Sequence, residues 1–462
     1  MTNIYLYGPP ASGKTTLGKR LAESLHCDFS DLDAEIVARA GRSIPEIFAA
    51  EGEPVFRQLE SDALREVSKD DGRIIALGGG TLLNESNRSL CEQTGAVLCL
   101  EAPDDAELER RIGAAAGSRP LGNRAAERAA HYASFPNRIA AFFEADRSLV
   151  VVGQGLAAPL LSGRRTVQDE TVARLYESLL PSPIAVLPSG EVHKTPETVM
   201  RIWHALAEQG IGRKDLIVAV GGGVTGDLTG FAAATWMRGI DWINVPTTLL
   251  SMVDASTGGK TGCDLPEGKN LAGAFHQPRL VIIDTDFLKT LSSELIAAGR
   301  AEMIKHEIIG GHRAEVDLKS IPTAREIADN LMVKVGIVRE DPFEKLGRRV
   351  LLNCGHTIAH AIEKLTNYKS SHGEAVAIGC VEEARLAVRL GLAPAKWPDE
   401  LAARFASAGL PTELPEGVTW ERMHPVMLQD KKRAGMTVEF ALPCGWGDVR
   451  THVIDFSKPE GV

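Results

Sequence analysis

Gly8-Pro9-Pro10-Ala11-Ser12-Gly13-Lys14-Thr15 fits the pattern GxxxxGK[ST], set between the apolar run NIYLYG and the helical run TTLGKRLAES. A strand before the loop and a helix after it turn this match into a structural constraint. The loop aims backbone N–H groups at phosphate oxygens, and the helix N-terminus adds its positive end. Lys14 then reaches the β- and γ-phosphates, and the Thr15 hydroxyl is offered to Mg²⁺. The segments that follow agree with a parallel α/β fold. RIIALGGG and AVLCLEA read as strands, and AEIVARA, VFRQLESDALREV and DDAELERRIGA as helices, the alternation of a sheet wrapped by helices.

The β/α rhythm restarts after the texture change near GLAAPLLSGRR, through AVLPSGE, VMRIWHALAEQGI and DLIVAVGGG. Beyond about residue 286 the strand signals fade and long helical runs take over, with a short strand expected again in the tail 436–456. A chain of 462 residues is too long for one ordinary core. The expected units are an N-terminal phosphate-loop domain (1–152), a second α/β domain (153–285) and a mainly helical domain (286–462). The apolar run 149–155 could complete either neighbouring sheet. No apolar run approaches the ~20 residues of a membrane helix, and MTNIYLYGPP leaves no room for a signal peptide. Seven cysteines without a CxxC pair suit a reducing cytosol, so a cytoplasmic location and no membrane partner are expected. A formal charge of −10 disfavours nucleic acid as a partner and leaves anionic ligands to locally basic pockets.

A second chemistry is written far from the phosphate loop, in LNCGHTIAHAIE and SHGEA. His356 and His360 are four apart on a helical stretch and project from one face. With His372 and the distant Glu302 in GRAEMIKHE they make a donor set suited to zinc or a similar ion. The strand DLIVAV runs into Gly221-Gly222-Gly223, a turn that suits a pyrophosphate but lacks GxGxxG spacing. After it, Thr247, Thr248, Asp254, Lys260, Lys269 and Asn270 are gathered in glycine-rich loops where a ligand can approach closely.

Asp31 and Asp33 after a short strand, Arg57 and Glu60 in FRQLE, Gly78-Gly79-Gly80 and Arg119-Pro120-Leu121 make the first unit closely resemble shikimate kinase. The resemblance implies ATP on Gly8, Gly13, Lys14, Thr15 and Thr16, with Mg²⁺ at Thr15 and, through water, Asp31. It implies Asp33 at the acceptor hydroxyl, Gly79 and Gly80 against the ring, and Arg119 descending on the transferring phosphoryl group. Arg57 and Arg138 would grip the shikimate carboxylate, with Arg138 preferred over Arg128. Lys14, Asp33 and Arg119 are the expected catalytic residues. The final helix of such kinases is absent here or merged into the next unit.

PSGEVHK, GRAEMIKH, LNCGHTIAHAIE, SHGEA and DKK make residues 153–462 resemble 3-dehydroquinate synthase. This implies zinc or cobalt on Glu302, His356 and His372, with His360 turned to substrate rather than metal. It implies a tightly held NAD on Asp169, Glu191, Lys194, Gly222, Gly223, Asp227, Thr247, Thr248 and Phe287. Heptulosonate 7-phosphate would meet Arg238, Asp254, Lys260, Lys269, Asn270, Lys305, Lys334, Arg349, Asn353, His360 and one of Lys431 and Lys432, the latter taken first. Of these, Lys260, Lys305, Asn353 and His360 would carry the chemistry, and a homodimer through this half is expected. Two alternatives stand beside this reading: a metal-dependent polyol dehydrogenase in the second half, or a nucleotide-binding module without turnover in the first.

Overall fold

The computed structural model describes residues 2–102, 128–430 and 436–457. Eleven strands form one sheet: β1 (Asn3–Tyr7), β2 (Phe29–Asp31), β3 (Ile74–Ala76), β4 (Gly95–Leu100), β5 (Arg138–Ala145), β6 (Ser148–Gln154), β7 (Thr166–Asp169), β8 (Ala185–Leu187), β9 (Leu216–Gly221), β10 (Asp241–Pro246) and β13 (Leu280–Asp284). Their order is β2-β3-β1-β4-β5-β6-β13-β10-β9-β7-β8. Hairpins β11 (Lys260–Leu265)/β12 (Gly268–Phe275) and β14 (Thr437–Gly445)/β15 (Asp448–Asp455) stand apart. Strands such as NIYLY, LIVAVG and LVIID are buried along their whole length, as parallel strands covered by helices on both faces must be.

One junction joins the two halves. β5 pairs in parallel with β4 through Arg138 and Ile139 only; a register shift between Ile139 and Ala141 then bends it. On its other edge β5 runs antiparallel to β6, from Arg138 opposite Gln154 to Ala145 opposite Ser148. β6 pairs in parallel with β13, five residues from Leu149 to Gly153. The strand that closes the first sheet therefore opens the second, and the boundary expected at 152 falls inside β6. The run 149–155 completes both neighbours.

The core is continuous across this junction. Leu17, Leu21 and Leu25 of the phosphate-loop helix (Lys14–Leu25) share one buried cluster with Val150–Val152, Leu280–Ile283 and Leu331 and Val335 of helix Ala324–Glu340. Polar contacts outline the same seam. His26 Nε2 lies 3.0 Å from Asp241, and Arg339 donates to the carbonyl of Glu144, whose side chain accepts twice from Arg20 (2.7 and 3.0 Å) within the first half. Among the described residues, strands and helix Ala324–Glu340 of the second half pack against the first sheet at this seam.

After β13 the chain is mainly helical, as expected: Ser293–Gly310, Ala324–Glu340, His356–Leu365, His372–Arg389, Trp397–Ser407 and Trp420–Asp430. Ser292, Thr323 and Ser371 each cap a helix N-terminus with their hydroxyls, and Thr323 and Ser371 do so within full capping boxes. The tail forms a hairpin rather than a single short strand. The helix expected over DDAELERRIGA lies outside the described residues.

Candidate active sites

The first site grows from the ends of β1, β2 and β3. Gly8 has φ +132°, and a Cβ there would sit 2.6 Å from the Leu100 carbonyl oxygen, so only glycine lets the loop turn off β1 against β4. Gly13 (φ +93°) starts the helix whose first residues are Lys14, Thr15 and Thr16. The Lys14 ammonium donates to the carbonyls of Gly8 (2.9 Å) and Pro9 (2.7 Å), inside the curve of the loop. Thr15 Oγ1 donates to Asp31 Oδ2 at 2.7 Å, placing the two expected magnesium-side groups together. The other Asp31 oxygen caps helix Leu32–Ala40 through the N–H groups of Asp33 and Ala34, so Asp31 is both cap and candidate ligand.

The glycine triplet lies where the remaining groups meet. A Cβ on Gly79 would lie 3.1 Å from Pro10 Cδ; one on Gly78 would lie 2.9 Å from Glu60 Oε1 and 3.4 Å from Asp33 Oδ1. One on Gly80 would lie 2.9 Å from Arg57 Nη2 and 3.2 Å from Arg128 Nη1. Arg128 also donates to the Gly79 carbonyl at 3.1 Å, as Tyr132 does at 2.7 Å. Arg138, expected at the shikimate carboxylate, stands apart from this group. At the start of β5 it pairs with Glu101 at 2.7 Å, and the guanidinium brought beside Arg57 belongs to Arg128. Glu60, quoted in the motif but given no role, is buried; it accepts from Arg57 (2.8 Å) and from Thr81 (2.7 Å) and so fixes the Arg57 fork. Its position three residues after Arg57 on one helix was the available signal. Arg119 lies outside the described residues.

In the second half, three side chains converge on one point. Glu302 Oε1 is 3.6 Å from His356 Nε2 and 3.4 Å from His372 Nε2, and all three offer ligand atoms within 4.8 Å of one another. Each ring is set by its other nitrogen: His356 Nδ1 lies 3.1 Å from the Cys354 carbonyl, and His372 Nδ1 lies 3.2 Å from Glu363 Oε1. A carboxylate or carbonyl behind the ring is how proteins present Nε2 to a metal. Glu363 was not foreseen, and its spacing to the histidines gave no signal. Neither Glu302 oxygen makes a well-shaped hydrogen bond, though Lys305 faces one of them as an ion pair. Burial, the largest influence, raises the Glu302 carboxyl, but Lys305, His372 and His356 together outweigh it and the net shift is downward. Burial and then Lys305 hold His356 well below the usual imidazole range. For His372, burial is overcome by Glu302 and Glu363, and the ring is pushed up to about 10. A wholly buried anion facing two presented imidazoles is a donor set that fits a tetrahedral divalent ion with one position left open. His360 stands beside His356, with ring centroids 5.7 Å apart, outside the trio.

Basic groups flank this trio. Lys305 also donates to the Leu352 carbonyl (3.0 Å), next to Asn353. Lys334 donates to Asp254 Oδ1 at 2.8 Å, and Arg349 donates to the carbonyls of Gly258 (3.3 Å) and Pro342 (3.0 Å). Lys260 pairs with Glu344 at 2.7 Å, and Lys269 lies over the Tyr368 ring. The glycine turn lies at the end of β9, where helix Gly223–Thr235 begins, and a cleft lined by Gly222, Gly223, Asp227, Asn244 and Lys260 opens there. Thr247 and Thr248 follow β10, Asp169 ends β7, and Phe287 follows β13, so these residues all sit past the carboxyl ends of parallel strands. That is where open α/β sheets bind ligands. Lys194 joins Asp227 (2.6 Å) and Asn270 (2.6 Å), with Glu191 just before it; Asp169 accepts from Ser189. Arg238 stands away from the glycine turn. It closes the far end of helix Gly223–Thr235, thirteen residues or roughly 20 Å from the glycine turn. Lys431 and Lys432 lie outside the described residues.

Comparison with known proteins finds two families along the chain. A shikimate kinase family model matches residues 10–157; models of the 3-dehydroquinate synthase N-terminal and C-terminal parts match 184–298 and 299–433. The 3-dehydroquinate synthase of Synechococcus sp. is 46% identical over 300 residues, 62% of this chain and 81% of that protein. A solved 2-deoxy-scyllo-inosose synthase, complexed with carbaglucose-6-phosphate, NAD+ and Co2+, aligns with a TM-score of 0.59 at 26% identity, over 68% of this chain and 94% of its own. The shikimate kinase of Acinetobacter baumannii, solved with shikimate, is 33% identical over 31% of this chain and 86% of its own, with a TM-score of 0.29. The polyol-dehydrogenase alternative is not favoured. A buried Glu-His-His trio behind a glycine turn, a phosphate loop facing a glycine triplet, and these matches lead to one conclusion: the chain belongs to the 3-dehydroquinate synthase family, with a shikimate kinase domain fused ahead of it.

Proposed function

We propose that this chain runs two reactions of the route to aromatic compounds. The first unit phosphorylates shikimate with Mg²⁺ and ATP. The second converts 3-deoxy-D-arabino-heptulosonate 7-phosphate to 3-dehydroquinate and releases phosphate, using NAD and zinc or cobalt. The observation that carries the second reading is the convergence of Glu302, His356 and His372 beside Lys305, Lys334 and Asp254. Identity of 46% to a 3-dehydroquinate synthase, against 26% to the inosose synthase, supports this cyclisation over its neighbours.

In the kinase unit, Lys14 supplies positive charge inside the phosphate loop, and Thr15 with Asp31 holds magnesium. Asp33, facing the glycine triplet, accepts the proton of the acceptor hydroxyl. Arg57, oriented by Glu60, and Arg128 clamp the shikimate carboxylate; two forks on one carboxylate fix both position and angle. In the synthase unit, Glu302, His356 and His372 hold the divalent ion, and Gly222, Gly223, Asp227 and Lys194 border the NAD cleft. When bound, the metal polarises the substrate's hydroxyl and carbonyl, and NAD takes up and returns a hydride. Lys305, Lys334 and Arg349 offset the charges of phosphate and carboxylate, while Asn353 and His360 contact the ring. Removal of the ring proton is assigned to the substrate's own phosphate, so no strong base is required of the chain.

We further infer a kinase unit ending in the β5–β6 hairpin, a homodimer formed through the synthase half, and a cytoplasmic location. Among the described residues no helix is long and apolar enough to cross a membrane, and all seven cysteines are free. The test is a crossed pair of variants. Lys14→Ala should abolish shikimate-dependent ATP consumption and leave phosphate release from the heptulosonate intact; Glu302→Ala should do the reverse. Loss of both activities in both folded variants, or of neither, contradicts the assignment.

A further inference from the structure

His306 has no role in the account so far, and its surroundings give it one. It lies one helical turn after Glu302 on helix Ser293–Gly310 and is wholly buried. Its Nδ1 lies 2.8 Å from Asn330 Oδ1, while Asn330 Nδ2 donates to the Met303 carbonyl at 2.9 Å. A carbonyl can only accept, so the amide NH₂ must face Met303 and the amide oxygen must face the ring. The proton of the neutral imidazole therefore sits on Nδ1, and Nε2 presents a bare lone pair. Burial, then Lys305, pushes the ring down to about 4, which keeps it neutral.

That lone pair is buried without a hydrogen-bond partner, 4.0 Å from Asp254 Oδ1. Asp254, Glu302 and His306 offer atoms within 4.8 Å of one another. Three acceptors thus face a common point next to the metal trio, with which they share Glu302. An acceptor in a dry pocket is costly unless a donor meets it. Lys305 and Lys334 already place positive charge on the two carboxylates, so a neutral donor fits this point better than a further cation. A sugar-like substrate brings such donors as hydroxyl groups.

We propose that His306, locked in its Nδ1-protonated form by Asn330, accepts a hydrogen bond from a hydroxyl of the polyhydroxy substrate beside Asp254 and so sets the angle at which the ring meets the metal centre. This rests on the synthase reading above. Helix Ala324–Glu340 then serves the site twice from one face: Lys334 directs Asp254, and Asn330, one turn earlier, directs His306.

The test uses the full chain with its metal and NAD. His306→Leu should lower kcat/KM for the heptulosonate about 10–100-fold, with metal content and kinase activity at the unsubstituted level. His306→Gln, whose carbonyl can still accept, should recover most of that loss. Deoxy analogues of the substrate supply the readout that a merely structural role would not move. One analogue lacking a single hydroxyl should be turned over nearly equally by the unsubstituted enzyme and by His306→Leu, because the partner of His306 is already gone. The proposal is overturned if His306→Leu matches the unsubstituted kcat/KM, or if its defect is the same with every analogue. Should His306→Leu fail to fold, His306→Gln and Asn330→Leu decide the matter by the same analogue comparison. An unsubstituted chain that releases no phosphate would instead remove the synthase reading itself.

Discussion

Dividing the chain after Arg147 separates β5 from β6 and tests whether the kinase unit is a domain in its own right. β6 buries Leu149, Val150, Val151 and Val152, none more than 1% exposed. At about 1.5–3 kcal/mol per fully buried side chain, that strand accounts for at most about 6–12 kcal/mol of apolar burial. Shared equally between the two halves, the kinase side still loses about 3–6 kcal/mol. It also loses the cover over Leu17, Leu21 and Leu25, which belong to the same cluster. A domain of this size is stable by only about 5–15 kcal/mol, so the loss is comparable to the whole. An ion pair within the first unit is a useful contrast. Arg20 and Glu144 are each 40% exposed, and Arg20→Ala should cost no more than about 1 kcal/mol. The assay is thermal unfolding by circular dichroism with shikimate-dependent ATP consumption, on fragments 1–147 and 148–462, their mixture, and the intact chain. The expected result is a first fragment without a cooperative transition or activity, partly restored on mixing. A first fragment that melts cooperatively and phosphorylates shikimate at the intact rate would refute the shared-core argument.

Arg128→Ala should raise the KM for shikimate at least 10-fold, whereas Arg138→Ala, which loses only its partly exposed pairing with Glu101, should change it less than 3-fold, as measured by steady-state kinetics. Gly373→Ala places a Cβ 2.3 Å from Ala298 Cα, forcing apart the helices that carry His372 and Glu302; bound metal and phosphate release should fall together while kinase activity stays. Arg404→Leu leaves the buried Glu307 carboxylate without its two-pronged partner (2.6 and 2.9 Å) and should destabilise the chain by about 3–5 kcal/mol in denaturant titration.

The phosphate loop, the glycine triplet and the glycine turn were readable because each needs particular residues at fixed spacing beside a strand. Helices and strands of the first unit that lie among the described residues followed from their periodicity. The β5–β6 hairpin was harder: Leu149–Gly155 looks equally good as the last strand of one sheet or the first of another, and it is both. Residue type could not separate Arg128 from Arg138, because only the folded chain shows which guanidinium comes beside Arg57 at Gly80. HxxxH spacing suggested a ligand pair, yet two residues on one helix face need not share a point; His372 reaches Glu302 from the next helix, and His360 stands beside His356. Glu363, Asn330 and His306 were silent because their roles depend on what other helices bring to them. Arg238 follows the far end of helix Gly223–Thr235, so its expected contact with substrate is not legible from this chain alone.

The central claim is that one chain holds a kinase site and a separate metal- and NAD-dependent cyclising site. Its most direct test is elemental analysis combined with a phosphate-release assay on the purified chain, with and without added NAD, beside Glu302→Ala. The expected result is one zinc or cobalt ion per chain, phosphate released without net NADH, and loss of both metal and release in the variant. NADH accumulating without phosphate, or full release from a metal-free Glu302→Ala chain, would contradict it.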